Sequence, residues 1–201
     1  QMCIRDSNNP STLGNMGFLD KFINSFFQSV TLRTAGFNTV PLGNIKPATV
    51  FISYIFMFIG ASPGSTGGGI KTTTFGILIL YAFGVLKRKE YVEVFKRRID
   101  WELINKALAI VVISIFYIVV VTTIILSIES FTTDKVIYEV LSAFSTTGLS
   151  MGITAGLGII SKLILVVTMF IGRLGPMTVA LAFTSNKTSS IKYPKEDILI
   201  G

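Results

Sequence analysis

The sequence predicts an all-α integral membrane protein, and three observations predict it. Of its 201 residues half are hydrophobic and only 14% are charged, with a mean hydropathy of +0.66, whereas soluble domains carry about 25% charged residues. Long runs contain no charge. Two polar segments outside those runs resemble each other. The same composition excludes several function classes. There is no His and a single Cys, Cys3, which removes disulfide frameworks, thiolate or imidazole metal sites and His-based catalytic triads; the chain is not expected to be an enzyme. Six of its eighteen Lys and Arg lie between Lys87 and Arg98, so the net charge of +7 is local and does not form the solvated basic face that nucleic-acid binding needs.

In chain order, the first apolar region is broken. Pro47 to Leu86 is forty residues interrupted by one ion, Lys71. As one straight helix it would measure about 60 Å against a hydrocarbon core of about 30 Å. Its middle, Gly60-Ala-Ser-Pro-Gly-Ser-Thr-Gly-Gly-Gly69, disfavours helix. Two half-helices flanking an unwound loop are expected, with the loop lining a cavity, since bare backbone at membrane depth must be buried by protein or reached by water. The basic segment Lys87 to Arg98 follows and reads as cytoplasmic by the positive-inside rule. Its interleaved Tyr91, Val92, Val94 and Phe95 also suit a docking helix for a cytoplasmic partner or acidic lipid. Ala107 to Ile128, twenty-two residues without a charge, is one crossing. Leu163 to Asn186 is another, interrupted by Arg173 within Gly172-Arg-Leu-Gly-Pro176, where a bend or break is expected. Lys187, Lys192 and Lys195 put the C-terminus on the cytoplasmic side too. The residues before Pro47 and from Glu129 to Ser161 are then external.

Those external segments form a repeat. Phe26 to Asn38 and Tyr138 to Ser150 align without gaps and share Thr-x-Gly, an apolar residue and a small polar one, at Thr34-Ala35-Gly36-Phe37-Asn38 and Thr146-Thr147-Gly148-Leu149-Ser150. Each is a helix-competent stretch running into a turn, and each precedes a broken span. Repeats on this scale mark symmetric transport architecture. Backbone carbonyls can replace the water oxygens that a monovalent cation loses on dehydration, glycine permits the required dihedrals, and a threonine hydroxyl adds one more oxygen. Either glycine alone could be an ordinary turn. As a repeated pair they read as filter strands.

These stretches, with Gly64-Ser-Thr-Gly-Gly-Gly-Ile-Lys-Thr72, Gly172 to Pro176 and the end from Tyr193 to Gly201, resemble the Trk/Ktr/HKT superfamily of potassium transporters, most nearly its bacterial Ktr membrane subunit. The resemblance implies membrane helix, pore loop, membrane helix repeats of the potassium-channel-like type, here three crossings plus two re-entrant pore loops. Residues 8–86 would hold the third pore loop and the broken second helix of the third repeat, 87–102 a cytoplasmic connector, 103–186 the whole fourth repeat and 187–201 a cytoplasmic tail. The chain is thus expected to be a C-terminal fragment, with residues 1–7 foreign sequence. The implied activity is potassium uptake across a bacterial cell membrane, with potassium as permeating ion, sodium as activator and no covalently bound cofactor. The implied partners are a second membrane subunit, in a homodimer, a cytoplasmic nucleotide-binding ring and the lipid bilayer, with no nucleic acid.

The filter would be built from the carbonyls of Thr34, Ala35, Gly36 and Phe37 and of Thr146, Thr147, Gly148 and Leu149. The resemblance makes Gly64, Ser65, Thr66, Gly67, Gly68 and Gly69 an intramembrane gate. A nucleotide P-loop is disfavoured there, because its lysine must follow the last glycine directly and Ile70 intervenes before Lys71. Arg173, an ion deep in a span, is expected to pack against this loop and stabilise its closed form; the bland reading is snorkelling from a helix end. Lys71 either lies at the loop's lower end or snorkels towards the cytoplasm. Arg33 and Glu139 adjoin the filter on the pore-helix side, and structural support of the filter is expected of them rather than direct ion contact. Two other functions compete: a secondary transporter of a small solute with a midplane site between broken helices, and a membrane-anchored interaction module.

Overall fold

The computed structural model describes residues 6, 9, 11–14, 16–65, 67–88, 93–94 and 97–175. Helix α1 spans Phe18–Thr31 and runs into the Thr34 segment. Helix α2, Pro47–Phe58, begins with proline at its first turn, where the missing N–H costs nothing. Asp6, fully buried, accepts from the Lys46 backbone N–H at 3.2 Å and the Thr49 hydroxyl at 2.6 Å, so it caps α2 from a distant part of the chain. Helix α3 spans Thr72–Leu86. The expected break between two half-helices therefore falls at Ile59–Lys71. Its neck is closed by the parallel bridge between Ile59 and Ile70, in which the Gly60 N–H donates to the Ile70 carbonyl at 2.9 Å and the Ile70 N–H to Phe58 at 3.2 Å.

The connector is not helical over its described residues. Strands β1, Glu93–Val94, and β2, Arg97–Arg98, pair antiparallel with Glu93 opposite Arg98. The docking helix expected there is replaced by a ribbon whose register sets unlike charges opposite each other, while Tyr91, Val92 and Phe95 lie outside the described residues.

Helix α4, Trp101–Ile128, is the one described helix long and apolar enough to cross a bilayer. Its buried residues, Ile104, Ala107, Ser114, Ile118, Val121, Thr122 and Ile125, recur at helical spacing on one face. The opposite face exposes Val112, Phe116 and Val119, as a helix against lipid does. Helix α5, Thr133–Phe144, packs against α2, α4 and α6, the last spanning Ile159–Leu174. Tyr138 and Phe144 are fully buried in this core with Met57 and Ile125. Helix α6 ends where Gly175 takes φ 89°. The expected span to Asn186, with Pro176, and Lys187, Lys192 and Lys195 lie outside the described residues. The result is a helical fold whose α1 and α5 each lead into a Thr-x-Gly segment.

Candidate functional site

The two Thr-x-Gly segments share one backbone. Thr34 and Gly36 have φ of 64° and 80°, and Thr146 and Gly148 have 55° and 85°. Ala35, Phe37, Thr147 and Leu149 keep negative φ. A β-branched residue at positive φ is an outlier that costs about 1–2 kcal/mol. Its occurrence at the same place in both repeats marks a constraint that the surrounding structure imposes. The segments also touch: a Cβ on Gly36 would stand 2.3 Å from the Thr147 carbonyl oxygen and 3.7 Å from the Gly148 Cα. Residues 111 positions apart in the chain, Gly36 from Thr147, are thus brought to one place.

Each segment is braced differently. In the first, the Thr31 hydroxyl donates to the Phe37 carbonyl at 2.5 Å, so one of the carbonyls assigned to the filter is engaged by α1. In the second, Ser145 and Thr147 share a hydroxyl hydrogen bond of 2.7 Å, and Glu139, 6% exposed, accepts from Ser150 and, at 2.8 Å, from Thr154. Glu139 thus adjoins the second segment as expected of it. For Arg33 no side-chain bond is found among the described residues.

The glycine loop lies directly against both threonines. A Cβ on Gly67 would fall 2.9 Å from the Thr34 Oγ1, and one on Gly68 would fall 2.7 Å from the Thr146 Cγ2 and 3.0 Å from the Gly172 carbonyl oxygen. Only residues without a side chain reach so close, which is why the run is glycine. The Gly68 N–H donates to the Thr146 hydroxyl at 2.8 Å. Lys71 folds back against the loop, and its ammonium donates to the Gly67 carbonyl at 2.5 Å and the Ser65 carbonyl at 3.5 Å. Gly64 takes φ 81° and, with Ser65, is exposed. Thr66 lies outside the described residues. Arg173 departs from expectation: α6 turns Gly172 to the loop, while Arg173 is exposed and makes no hydrogen bond or ion pair among the described residues. The close approach needs the small residue, and its neighbour one position on necessarily faces about 100° away.

Among the described residues no three His, Cys, Asp or Glu gather to hold a metal ion. Glu129, outside the apolar helices, accepts from the Ser161 hydroxyl at 2.7 Å and the Gly158 N–H at 2.8 Å. The Ser161 hydrogen bond, then the Gly158 one, hold its carboxyl below the usual range. It caps the start of α6 and so fixes the return from the second segment. Neither this cap nor the Asp6 cap has a local sequence signal, because each acceptor is remote in the chain from the helix it caps.

A family model described as cation transport protein, TrkH, matches residues 8–192. The chain is 38% identical over 196 residues to the Ktr system potassium uptake protein B of Vibrio alginolyticus, covering 98% of this chain and 43% of that protein. It is 36% identical over 200 residues to the potassium/sodium uptake protein NtpJ of Enterococcus hirae, covering 96% and 44%. The crystal structure of the potassium transporter TrkH from Vibrio parahaemolyticus superposes with a TM-score of 0.77 at 21% identity, over 91% of this chain and 41% of that one. The chain therefore spans less than half the length of the curated relatives it matches.

Proposed function

Because the chain belongs to the TrkH family of cation transport proteins, we propose that it contributes two of the filter strands and the gate of a potassium uptake pore. The observation that carries this is the repeated strained backbone at Thr34-Ala-Gly36 and Thr146-Thr-Gly148, seated on the glycine loop. Helices α1 and α5 are the descending halves of two re-entrant pore loops. Helices α2 with α3, α4 and α6 supply three crossings, with the β1–β2 connector and the C-terminus cytoplasmic. The carbonyls of Thr34, Ala35 and Gly36 and of Thr146, Thr147, Gly148 and Leu149 replace part of the hydration shell of a potassium ion. Phe37 closes the first strand, with its carbonyl tied to Thr31.

The loop Gly64, Ser65, Thr66, Gly67, Gly68 and Gly69 is the gate below the filter. In the arrangement described it rests under both threonines, and the Lys71 ammonium holds its carbonyls from beneath. That ammonium occupies oxygens a permeating cation would use, so a closed gate is stabilised by an internal cation. Arg173, next to the Gly172 contact, adds a second positive charge at this level and opposes cation passage while the loop is closed. Sodium acts as activator, and a second membrane subunit and a cytoplasmic nucleotide-binding ring complete the assembly; these three rest on resemblance to Ktr systems.

The test is growth of a bacterium lacking potassium uptake, carrying the full-length gene and a partner ring. Rescue at low potassium, stronger with sodium present, is the expected result. No rescue at any potassium level, with membrane insertion confirmed, overturns the reading. Rescue only of solute uptake would favour the secondary transporter.

A further inference from the structure

Glu139 is a buried acid with no counter-ion among the described residues. It is 6% exposed, its partners are the neutral hydroxyls of Ser150 and Thr154, and no basic side chain pairs with it among the described residues. A buried charge left without an opposite one is costly, so something must compensate it. Glu139 also lines, with Thr146, Gly148, Leu149 and Ser150, a cavity of about 280 Å³ between α5, the second Thr-x-Gly segment and α6. The same cavity thus touches the acid and the strand proposed to hold the ion.

The hydroxyl bonds join the two limbs of the loop. Glu139 stands on the helix before the strand, Ser150 directly after it, and the Thr154 hydroxyl lies 2.8 Å from both Glu139 and Ser150. Ser150 in turn accepts from the Gly152 N–H at 2.9 Å. The first repeat has nothing equivalent: Phe27 stands at the position aligned with Glu139, and its strand is tied through the Thr31 hydroxyl instead. Of the two described segments, only the second carries this negative charge.

We propose that Glu139 is the positioning residue of the second filter strand and its fixed negative charge, with the permeating monovalent cation as the missing counter-ion. This deepens the transport reading above and rests on it. Charge and brace are separable. Gln at 139 keeps an oxygen that can accept from Ser150 and Thr154 but carries no charge, whereas Ala removes both.

The experiment measures potassium uptake against concentration, and potassium over sodium discrimination, in the full-length gene product with its partner ring. Glu139→Gln is expected to raise the KM for potassium roughly tenfold with little change in maximal rate, Glu139→Ala to lose discrimination as well, and Glu139→Asp to restore most of the affinity. Wild-type KM and discrimination in Glu139→Gln and Glu139→Ala, at wild-type membrane levels, overturn the proposal. Should these variants not accumulate, Ser150→Ala with Thr154→Val keeps the charge and removes both donors; reduced discrimination is then expected, and unchanged discrimination overturns the bracing role. Absence of cation uptake by the wild type overturns the transport reading itself, and this inference with it.

Discussion

Two glycines at equivalent places in the repeat are not equally replaceable. Gly36 and Gly148 both take positive φ, but a Cβ on Gly36 would meet the Thr147 carbonyl oxygen at 2.3 Å, while one on Gly148 meets nothing nearer than the Gly36 Cα at 3.8 Å. Gly148→Ala therefore adds backbone strain of about 1–2 kcal/mol, and Gly36→Ala adds a steric overlap besides. Uptake assays on both variants are expected to show the larger loss for Gly36→Ala; equal losses would mean that the two strands do not touch. A second residue-scale prediction concerns acid. Since hydrogen bonds from Ser161 and Gly158 hold the Glu129 carboxyl below its ordinary value, its contribution to stability is complete above the usual carboxylate range and is lost as pH falls through the depressed folded value. Melting of purified protein from pH 7 downwards should show Glu129→Gln less stable at neutral pH, with the gap closing as the medium becomes acid. A constant gap would mean that charge plays no part in the cap.

At the scale of elements, the chain's own pattern reveals most of the helices. The charge-free run ending at Ile128 marks α4, the loop from Gly60 to Gly69 marks the break between α2 and α3, and Gly175 marks the end of α6, because apolarity and glycine act locally. The connector was not legible: its alternating basic and apolar residues suit either a helix face or a ribbon, and the pairing of Glu93 with Arg98 decided between them. Packing between elements was hidden as well. A Cβ on Gly172 of α6 would lie 1.9 Å from the Phe144 carbonyl oxygen at the end of α5, a contact between stretches 28 residues apart. Gly76 of α3 has nothing within 4 Å. Gly172→Ala should thus force α5 and α6 apart at a cost of about 1–3 kcal/mol, whereas Gly76→Ala should be neutral or stabilise by up to about 1 kcal/mol through helix propensity. Thermal melting of the two variants in detergent distinguishes them, and a wild-type melt for Gly172→Ala would show that the helices are not so close.

Across the whole molecule, the proposed function depends on a junction no single stretch contains. The residue types at the site were legible: repeated Thr-x-Gly, a glycine run, a lysine beside it. Their meeting was not, since the Gly68 bond to Thr146 spans 78 positions and the Gly67 contact with Thr34 spans 33. Nor could the pattern tell that Gly172 rather than Arg173 would meet the loop, because helix rotation decides it. On the proposed reading the junction ties the gate to both strands, so closing the loop and shaping the strands would be one event. If the hydroxyl of Thr146 contributes a net 0.5–1.5 kcal/mol or so to the closed loop, as a neutral hydrogen bond does, removing it shifts the balance towards open by about two- to tenfold. Thr146→Val is the informative change, because valine keeps the branched shape beside Gly68 but cannot accept its N–H. In proteoliposomes without the regulatory ring, its potassium leak should rise several-fold over the wild type, with selectivity kept. Lys71→Met should raise the leak further, since it frees the Gly67 and Ser65 carbonyls that the ammonium now holds. Leaks at the wild-type level in both variants would show that the loop is not held shut from these two sides, and that the closed gate draws its stability from elsewhere.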